Sequence, residues 1–517
     1  MRVDIAQFAV TVLYVVPGIL LLTAVRVIEL RSIEIAAALG LAYLVGVAMV
    51  TTSSILLLVL GVPMSAPIYL VVALLLSVGC AVGIRRVKRG ENPSSERRPA
   101  SSKPSLLRLR GWLSERSTVW WVAALTVSVI ALFAVVGFIT ALKAPVSGWD
   151  GWSIWARKGQ MLFYEDALPK EFFTSENYRF MHPDYPLLIP VWESVFFRFA
   201  GAPNTQALHG QFWILLVAGL WTAGFLAHRA VPAIRGSKEW AAAIWAPLLG
   251  VLIVTPGIHR QTLQIYADIP MAVFAMGAAL CIALWLQGRR SGYLVVAALL
   301  LGATANVKNE GLTTALAVIG AMLIVRLFAV EGSRWKSFKP AAICAAAVAA
   351  LAVLPWRIWL TLNDVHGLVS ITDGVSPDYI WEHRERVHPS VGSVVNQLVQ
   401  PGVWNFIPTL AVAIVLACLI VGVARRIATF YGLAGVLTLA AIVWGYVVAP
   451  TELGWHLGSS SDRLVDGFAF ISAAAVLHLT ILLAKSGAED SALEGAALEG
   501  AASGAASGAA NSAPAHD

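Results

Sequence analysis

The chain has 517 residues, 58% of them hydrophobic and only 13% charged, with a mean hydropathy of +0.74. A soluble domain carries about a quarter charged residues, so a water-soluble fold is excluded. Lysine and arginine number 37 against 30 acidic residues, a net charge of +7, but the excess lies mostly in short connections between apolar runs, which argues against a nucleic-acid partner.

A helix needs about 20 apolar residues to cross the hydrocarbon core, where every backbone polar group must find its partner inside the segment. Such runs fall at Phe8–Val25, Ile33–Leu60, Ala66–Ile84, Val119–Leu142, Gln206–Ala227, Trp240–Val254, Ile269–Leu286, Tyr293–Val307, Leu312–Leu327, Ala341–Leu362, Phe406–Val423, Ala428–Val448 and Phe468–Ala484. The sequence therefore predicts an all-α polytopic integral membrane protein with about thirteen transmembrane helices. The run ending at Leu60 is long enough to be tilted or broken near Thr51–Ser54. Only Arg2 precedes the first run and no small-residue cleavage site follows it, which predicts a retained span. Cys80, Cys281, Cys344 and Cys418 each sit inside an apolar run and read as packing residues.

Basic clusters at Arg26/Arg31, Arg85–Arg116, His228–Lys238, Arg289/Arg290, Arg326–Lys339 and Arg425/Arg426 fall on every second connection. By the positive-inside rule these are cytoplasmic, the N-terminus is outside and the C-terminus inside. Four regions follow: a three-span preface (1–85), a basic cytoplasmic linker (86–117), a transmembrane body (118–485) and a disordered Gly/Ala/Ser-rich tail (486–517). Two long connections, Lys143–Thr205 and Asn363–Asn405, and the shorter Pro450–Asp466 all face outward.

The unusual polar residues gather on those outward connections. Asp150 stands between Trp149 and Trp152, with Trp155 at helical spacing; it reads either as a helix cap within an interfacial aromatic belt or as a catalytic carboxylate. His182–Pro183–Asp184–Tyr185–Pro186 is a rigid extended path, either a structural proline turn or a presentation of imidazole and carboxylate to a divalent cation. Asp268 opens a span, where capping and function compete as explanations. Asn306, Lys308, Asn309 and Glu310 interrupt an apolar stretch, a costly placement that points to a substrate path, with Lys308–Glu310 pairing as the alternative. Ser459, Ser460 and Ser461 lead to Asp462–Arg463, a set suited to phosphate oxygens or, alternatively, a polar turn closed by an Asp462–Arg463 contact. No Walker loop, Rossmann fingerprint, paired-thiol zinc site or Gly-x-Ser-x-Gly elbow occurs.

The order of these features resembles the C-type (GT-C fold), polyprenyl-phosphate-dependent glycosyltransferase superfamily, which includes the protein O-mannosyltransferases and the aminoarabinose transferases. The resemblance rests on Asp150, on His182–Pro183–Asp184–Tyr185–Pro186, on Tyr266–Pro270 as an Asp-x-Pro stretch, and on Val307–Gly311 as a Thr-Lys-x-x-Gly-like turn. It covers roughly Val119–Ala484. Asp150 stands alone where the superfamily often has two adjacent acidic residues.

The resemblance implies a GT-C core in the cell (cytoplasmic) membrane, with its site facing the periplasm or exterior. A sugar would pass with inversion from a polyprenyl-phosphate-linked donor to a glycan, lipid or protein acceptor. Asp150 would be the general base. Lys308 and Arg463 would bind the donor phosphate, supported by Asp268 and Glu310. Trp149, Trp152 and Tyr185 would hold substrate and lipid boundary, and His182 with Asp184 an optional divalent cation, magnesium or manganese. The rival expectation is a transporter or a lipid-linked-sugar flippase, for which intramembrane charges at Asn306–Glu310 are equally suited.

Overall fold

The computed structural model describes residues 3–89, 118–231, 237–328, 334–367 and 374–484. Within them the chain is helical throughout, with no strand. Ten helices are long and apolar enough to cross a bilayer, and an eleventh arises if Ala241–Ile253 and Pro256–Leu263, bent by 53°, form one span. Two further apolar helices, Gly292–Val307 and Ile407–Val421, are shorter. The protein is a polytopic membrane protein, and every apolar run in the sequence coincides with a helix. The linker 86–117 begins inside the Ala66–Arg89 helix; its remainder, 90–117, and the tail 486–517 lie outside the described residues.

The expected break near Thr51–Ser54 is absent: Leu39–Val59 is one helix, and the interruption falls at Ala38, behind the short helix Ser32–Ala37. Thr51 does not interrupt because its hydroxyl donates to Val47 O at 2.6 Å. Thr222, Thr262, Thr304 and Thr438 likewise donate four residues back. A hydroxyl satisfied by its own helix costs little in hydrocarbon.

The Asp268–Leu286 helix is buried along its whole length. Its Ala-rich surface admits the Leu208–Ala230 and Gly292–Val307 helices closely. By contrast, Thr118–Ala141 and Ala66–Arg89 lie at the periphery with many exposed leucines and valines. That gradient, from a fully covered central helix to apolar outer ones, is how a bundle meets lipid rather than water.

The connection 143–205, expected as an outer loop, is largely helical. Its last helix, Leu188–Ala200, is buried from Leu188 through Phe197. It packs against Val3–Ala24, Leu39–Val59 and Ala66–Arg89, so the preface covers it. Met64 N donates to Asp166 O at 2.7 Å, joining a preface turn to the same connection. On the opposite end of the bundle the Trp221 indole donates to Ala37 O at 2.9 Å and Arg290 to Arg26 O at 3.0 Å.

Candidate functional site

Asp150 is placed by the glycines that flank it. A Cβ on Gly148 would stand 2.6 Å from Gln264 O and 2.7 Å from the Tyr266 ring, and one on Gly151 would stand 2.6 Å from Ile265 Cγ1. Only glycine lets the two backbones approach this closely. Ile265, beneath Gly151, holds φ at 50°, a costly conformation for a β-branched residue of the kind that clusters at functional sites. Asp150 precedes the turn of π-helix Gly151–Trp155, yet its side chain makes no capping hydrogen bond. The capping alternative is thereby removed.

The Asp150 carboxylate is instead bonded to Arg463. Arg463 Nη1 lies 2.6 Å from Asp150 Oδ2 and 4.0 Å from Asp268 Oδ2, and its Cζ lies 4.5 Å from the centre of the Tyr266 ring. The segment Leu453–Leu464 that carries it is a helix, not the polar turn that the serines suggested. Glu452 caps that helix by accepting from Trp455 N at 2.6 Å and Gly454 N at 2.8 Å, and these donors hold its carboxyl below the ordinary glutamate value. The local Asp462–Arg463 contact does not form, because Asp462 pairs with Arg260 at 2.6 Å. Ser460 and Ser461 turn to Tyr446, at 3.0 Å, and Gln397, at 3.4 Å.

Lys308 Nζ lies 2.5 Å from Asp268 Oδ1, and both residues are almost fully covered, at 5% and 3% exposure. Lys308 is extended between the Gly292–Val307 and Asn309–Leu327 helices. It pairs with Asp268 and not with Glu310, so the sequence neighbour is not the partner. The two residues after it make separate commitments. Asn309 Nδ2 donates to Asp184 Oδ2 at 2.6 Å while its Oδ1 accepts from Arg357 Nη2 at 2.6 Å. Glu310 Oε1 accepts from Tyr185 OH at 3.4 Å, and its buried Oε2 has no partner.

Asp150, Arg463, Asp268 and Lys308 thus form one chain of alternating charge drawn from four separate segments. Two anions face two cations, so the chain is balanced internally. Arg463 still has N–H groups beyond the one spent on Asp150, and Lys308 beyond the one spent on Asp268.

Beside it runs an aromatic stack. Trp155 lies on Tyr185 with centroids 5.6 Å apart, and Tyr185 on His182 at 4.6 Å. Lys158, fully buried behind them, donates Nζ to His182 O at 2.5 Å. Burial pushes the Lys158 amine down to about 7, against the opposing pull of Asp184. Burial also lowers the His182 imidazole, with Asp184 opposing, and raises the Tyr185 phenol, with Glu310 adding to the rise. Trp149 and Trp152 form an edge-to-face pair at 4.9 Å and are largely exposed, at 57% and 43%, so they border the site rather than line its floor.

His182 and Asp184 do not complete a cation site. No group of three or more His, Cys, Asp or Glu side chains suited to a metal occurs among the described residues. Asp184 Oδ2 is already bound by Asn309, and its carbonyl by the Trp356 indole at 3.0 Å. One carboxylate oxygen, Asp184 Oδ1, is buried without a partner, which with one imidazole makes two donors, so a magnesium or manganese ion there would need waters or substrate phosphate to fill its shell.

Sequence reasoning missed Lys158 and Arg357. Lys158 sits in the amphipathic Ala156–Glu165 helix and looks like ordinary surface charge. Arg357 carried a signal, since a lone arginine inside the apolar run 341–362 is an intramembrane charge that calls for a partner.

Residues 11–153 match a protein family described only as a family of unknown function (DUF6541). The matched stretch runs from the first preface helix through Trp149, Asp150 and Trp152, ending at Ser153. No curated protein and no solved structure matches the chain.

Proposed function

We propose that the protein is a membrane glycosyltransferase that moves a sugar, with inversion, from a polyprenyl-phosphate-linked donor to a glycan, lipid or protein acceptor. The observation that carries this reading is the convergence of Asp150, Arg463, Asp268 and Lys308 at one end of the bundle. That convergence puts a carboxylate beside two cations, which is what inverting transfer from a phosphate asks of a site.

In the reaction the acceptor oxygen attacks the anomeric carbon. Its proton passes to Asp150, and the electron pair of the breaking bond leaves with the phosphate. Phosphate is a weak base and needs no general acid. Lys308 and Arg463 offset its developing charge with donors not spent on Asp268 and Asp150. Asp268 keeps both cations in place, Glu310 fixes Tyr185, and Trp149 and Trp152 border the sugar and the lipid. No step is routed through a divalent cation, because the donor set at His182 and Asp184 is incomplete.

The body has the GT-C architecture in this reading. The bent pair and the two shorter apolar helices complete about thirteen crossings with the ten longer ones, and the alternating basic connections place the Asp150 end outside the cytoplasmic membrane. The transporter alternative draws less support, since the charges meet at helix ends rather than along a path through the bundle.

The test is reconstitution of the purified chain with radiolabelled polyprenyl-phosphate sugars. Wild type is expected to transfer label, and Asp150→Asn to lose transfer while keeping its fold. Undiminished transfer by Asp150→Asn would remove Asp150 from the mechanism, and no transfer from any donor class would return the transporter to first place.

A further inference from the structure

A third carboxyl stands beside the charge chain and has no role in that mechanism. Asp466 begins the helix 466–484, three residues beyond Arg463, and is fully buried. Its Oδ1 accepts from Gln261 Nε2 at 3.0 Å, and its Oδ2 has no partner. Gln261 is in the same condition. It too is fully buried, its Nε2 is spent on Asp466 and on Asp462 O at 3.3 Å, and its Oε1 has no partner. The two donations fix the orientation of the amide, since the flipped amide would set its oxygen against two acceptors.

Both orphans are therefore acceptors, on side chains already joined through their other atoms. What the pair lacks is one donor. A carboxylic acid supplies it: the O–H gives to the amide oxygen while the amide N–H gives to the acid carbonyl, and both side chains are satisfied. The surrounding charges favour the same state. Asp268, Lys308 and Asp462 are near enough to act on Asp466, but Lys308 is committed to Asp268, Asp462 to Arg260, and Arg463 to Asp150 and Asp268. Thr314 stands against Gly467 and Gly435 against Phe468, so the helices Asn309–Leu327 and Arg425–Val448 pack beside Asp466. They bring Glu310 and Tyr446 to this end of the bundle, and no cation. A buried carboxylate without a cation of its own is costly, and a neutral acid is not.

We propose that Asp466 is held as a neutral carboxylic acid, paired through both oxygens with Gln261, and that in this form it positions Lys308. Neutral, it leaves two carboxylates, Asp150 and Asp268, to two cations. Ionised, it would be a third and would compete with Asp268 for Lys308. The consequence for catalysis rests on the transferase reading: Lys308 drawn toward Asp466 no longer meets the departing phosphate, so transfer fails when Asp466 loses its proton.

Infrared difference spectra of the full chain in nanodiscs, wild type minus Asp466→Asn at neutral pH, read that proton directly. The expected result is the carbonyl stretch of a protonated carboxylic acid, shifted in heavy water. Carboxylate stretches in its place, the result if a buried water serves the two orphans, overturn the proposal. Gln261→Leu should move the acid band, since the O–H then has no amide oxygen to meet, and an unmoved band overturns the pairing. Asparagine can exchange the same two hydrogen bonds with Gln261 and leucine neither. Asp466→Leu should thus lose transfer by about tenfold or more, the worth of one or two hydrogen bonds, and Asp466→Asn should recover part of it. As the pH rises, transfer by wild type should fall more steeply than transfer by Asp466→Asn, which has no proton to lose there; parallel profiles overturn the positioning role. The spectra need no substrate, which separates the two ideas. An acid band without transfer from any donor leaves the proton site standing and the transferase fallen, and transfer that depends on Asp150 with an ionised Asp466 does the reverse.

Discussion

Arg463 Nη1 lies 2.6 Å from Asp150 Oδ2 although 313 residues separate them in the chain. The bond holds a carboxylate where a substrate hydroxyl could reach it and fixes its orientation from one side. Arg463→Lys keeps the charge but loses the planar fork that can serve Asp150 and Asp268 together. Transfer by Arg463→Lys is expected to fall about tenfold or more, a loss of one or two charge-assisted hydrogen bonds, measured in the same reconstituted assay. An unaltered rate in this variant would show that the guanidinium geometry is idle.

Lys308 and Asp268 form a covered pair, and removing one member leaves the other uncompensated. Lys308→Met and Asp268→Asn alone should each destabilise the chain by about 3–5 kcal/mol, whereas the double variant should recover much of that loss. Thermal or denaturant unfolding in detergent, arranged as a double-mutant cycle, checks this. Additive single effects would mean that the two groups do not act as a pair.

Gly151→Ala introduces a methyl group against Ile265 and Gln264. Overpacking of this kind costs about 1–3 kcal/mol, and here it would also push Asp150 away from Arg463. Activity is therefore expected to fall further than stability. Equal activity per folded molecule would show that the close approach of the two backbones is dispensable.

Lys158 supplies a pH dependence. The folded chain holds its amine at about 7, whereas in an unfolded chain it titrates near about 10.4. Between those values the unfolded state binds the extra proton. Stability from the folded contacts is thus diminished below about pH 7 and rises as the pH climbs toward 10. Wild type should gain more thermal stability than Lys158→Met between about pH 6 and about pH 9. Parallel curves for the two proteins would contradict the burial argument.

Chelation is the last test. With only two protein donors at His182 and Asp184 and no step of the reaction routed through a cation, transfer should be insensitive to added chelator, and His182→Ala should act through the Tyr185 stack rather than through a metal. Loss of transfer on chelation, restored by magnesium or manganese, would demand ligands beyond those two residues.

Much of this was legible in the sequence, for a physical reason. Apolar runs must become helices in hydrocarbon, so their positions follow from hydropathy alone, and the order of runs and connections predicts that Asp150, Asp268, Lys308 and Arg463 share one end of the bundle, where they do meet. Pairing was less legible. Lys308 has Glu310 two residues away and Arg463 has Asp462 beside it, yet neither neighbour is the partner, because helix ends meeting in space choose partners that sequence distance does not reveal. The helix Leu188–Ala200 was also hidden. It is short, and its proline-rich approach resembles a surface loop, while its burial depends on preface helices more than a hundred residues earlier.

That covering has a consequence for how the chain is made. The three preface helices are synthesised and inserted before Leu188–Ala200 exists, so each waits in the bilayer with an unmatched face. The body, translated without them, would reach the membrane with the preface-facing side of Leu188–Ala200 uncovered. A shortened gene that begins at residue 118 should therefore yield a product cleared by quality control. The same two pieces, co-expressed as separate chains, should find one another and accumulate.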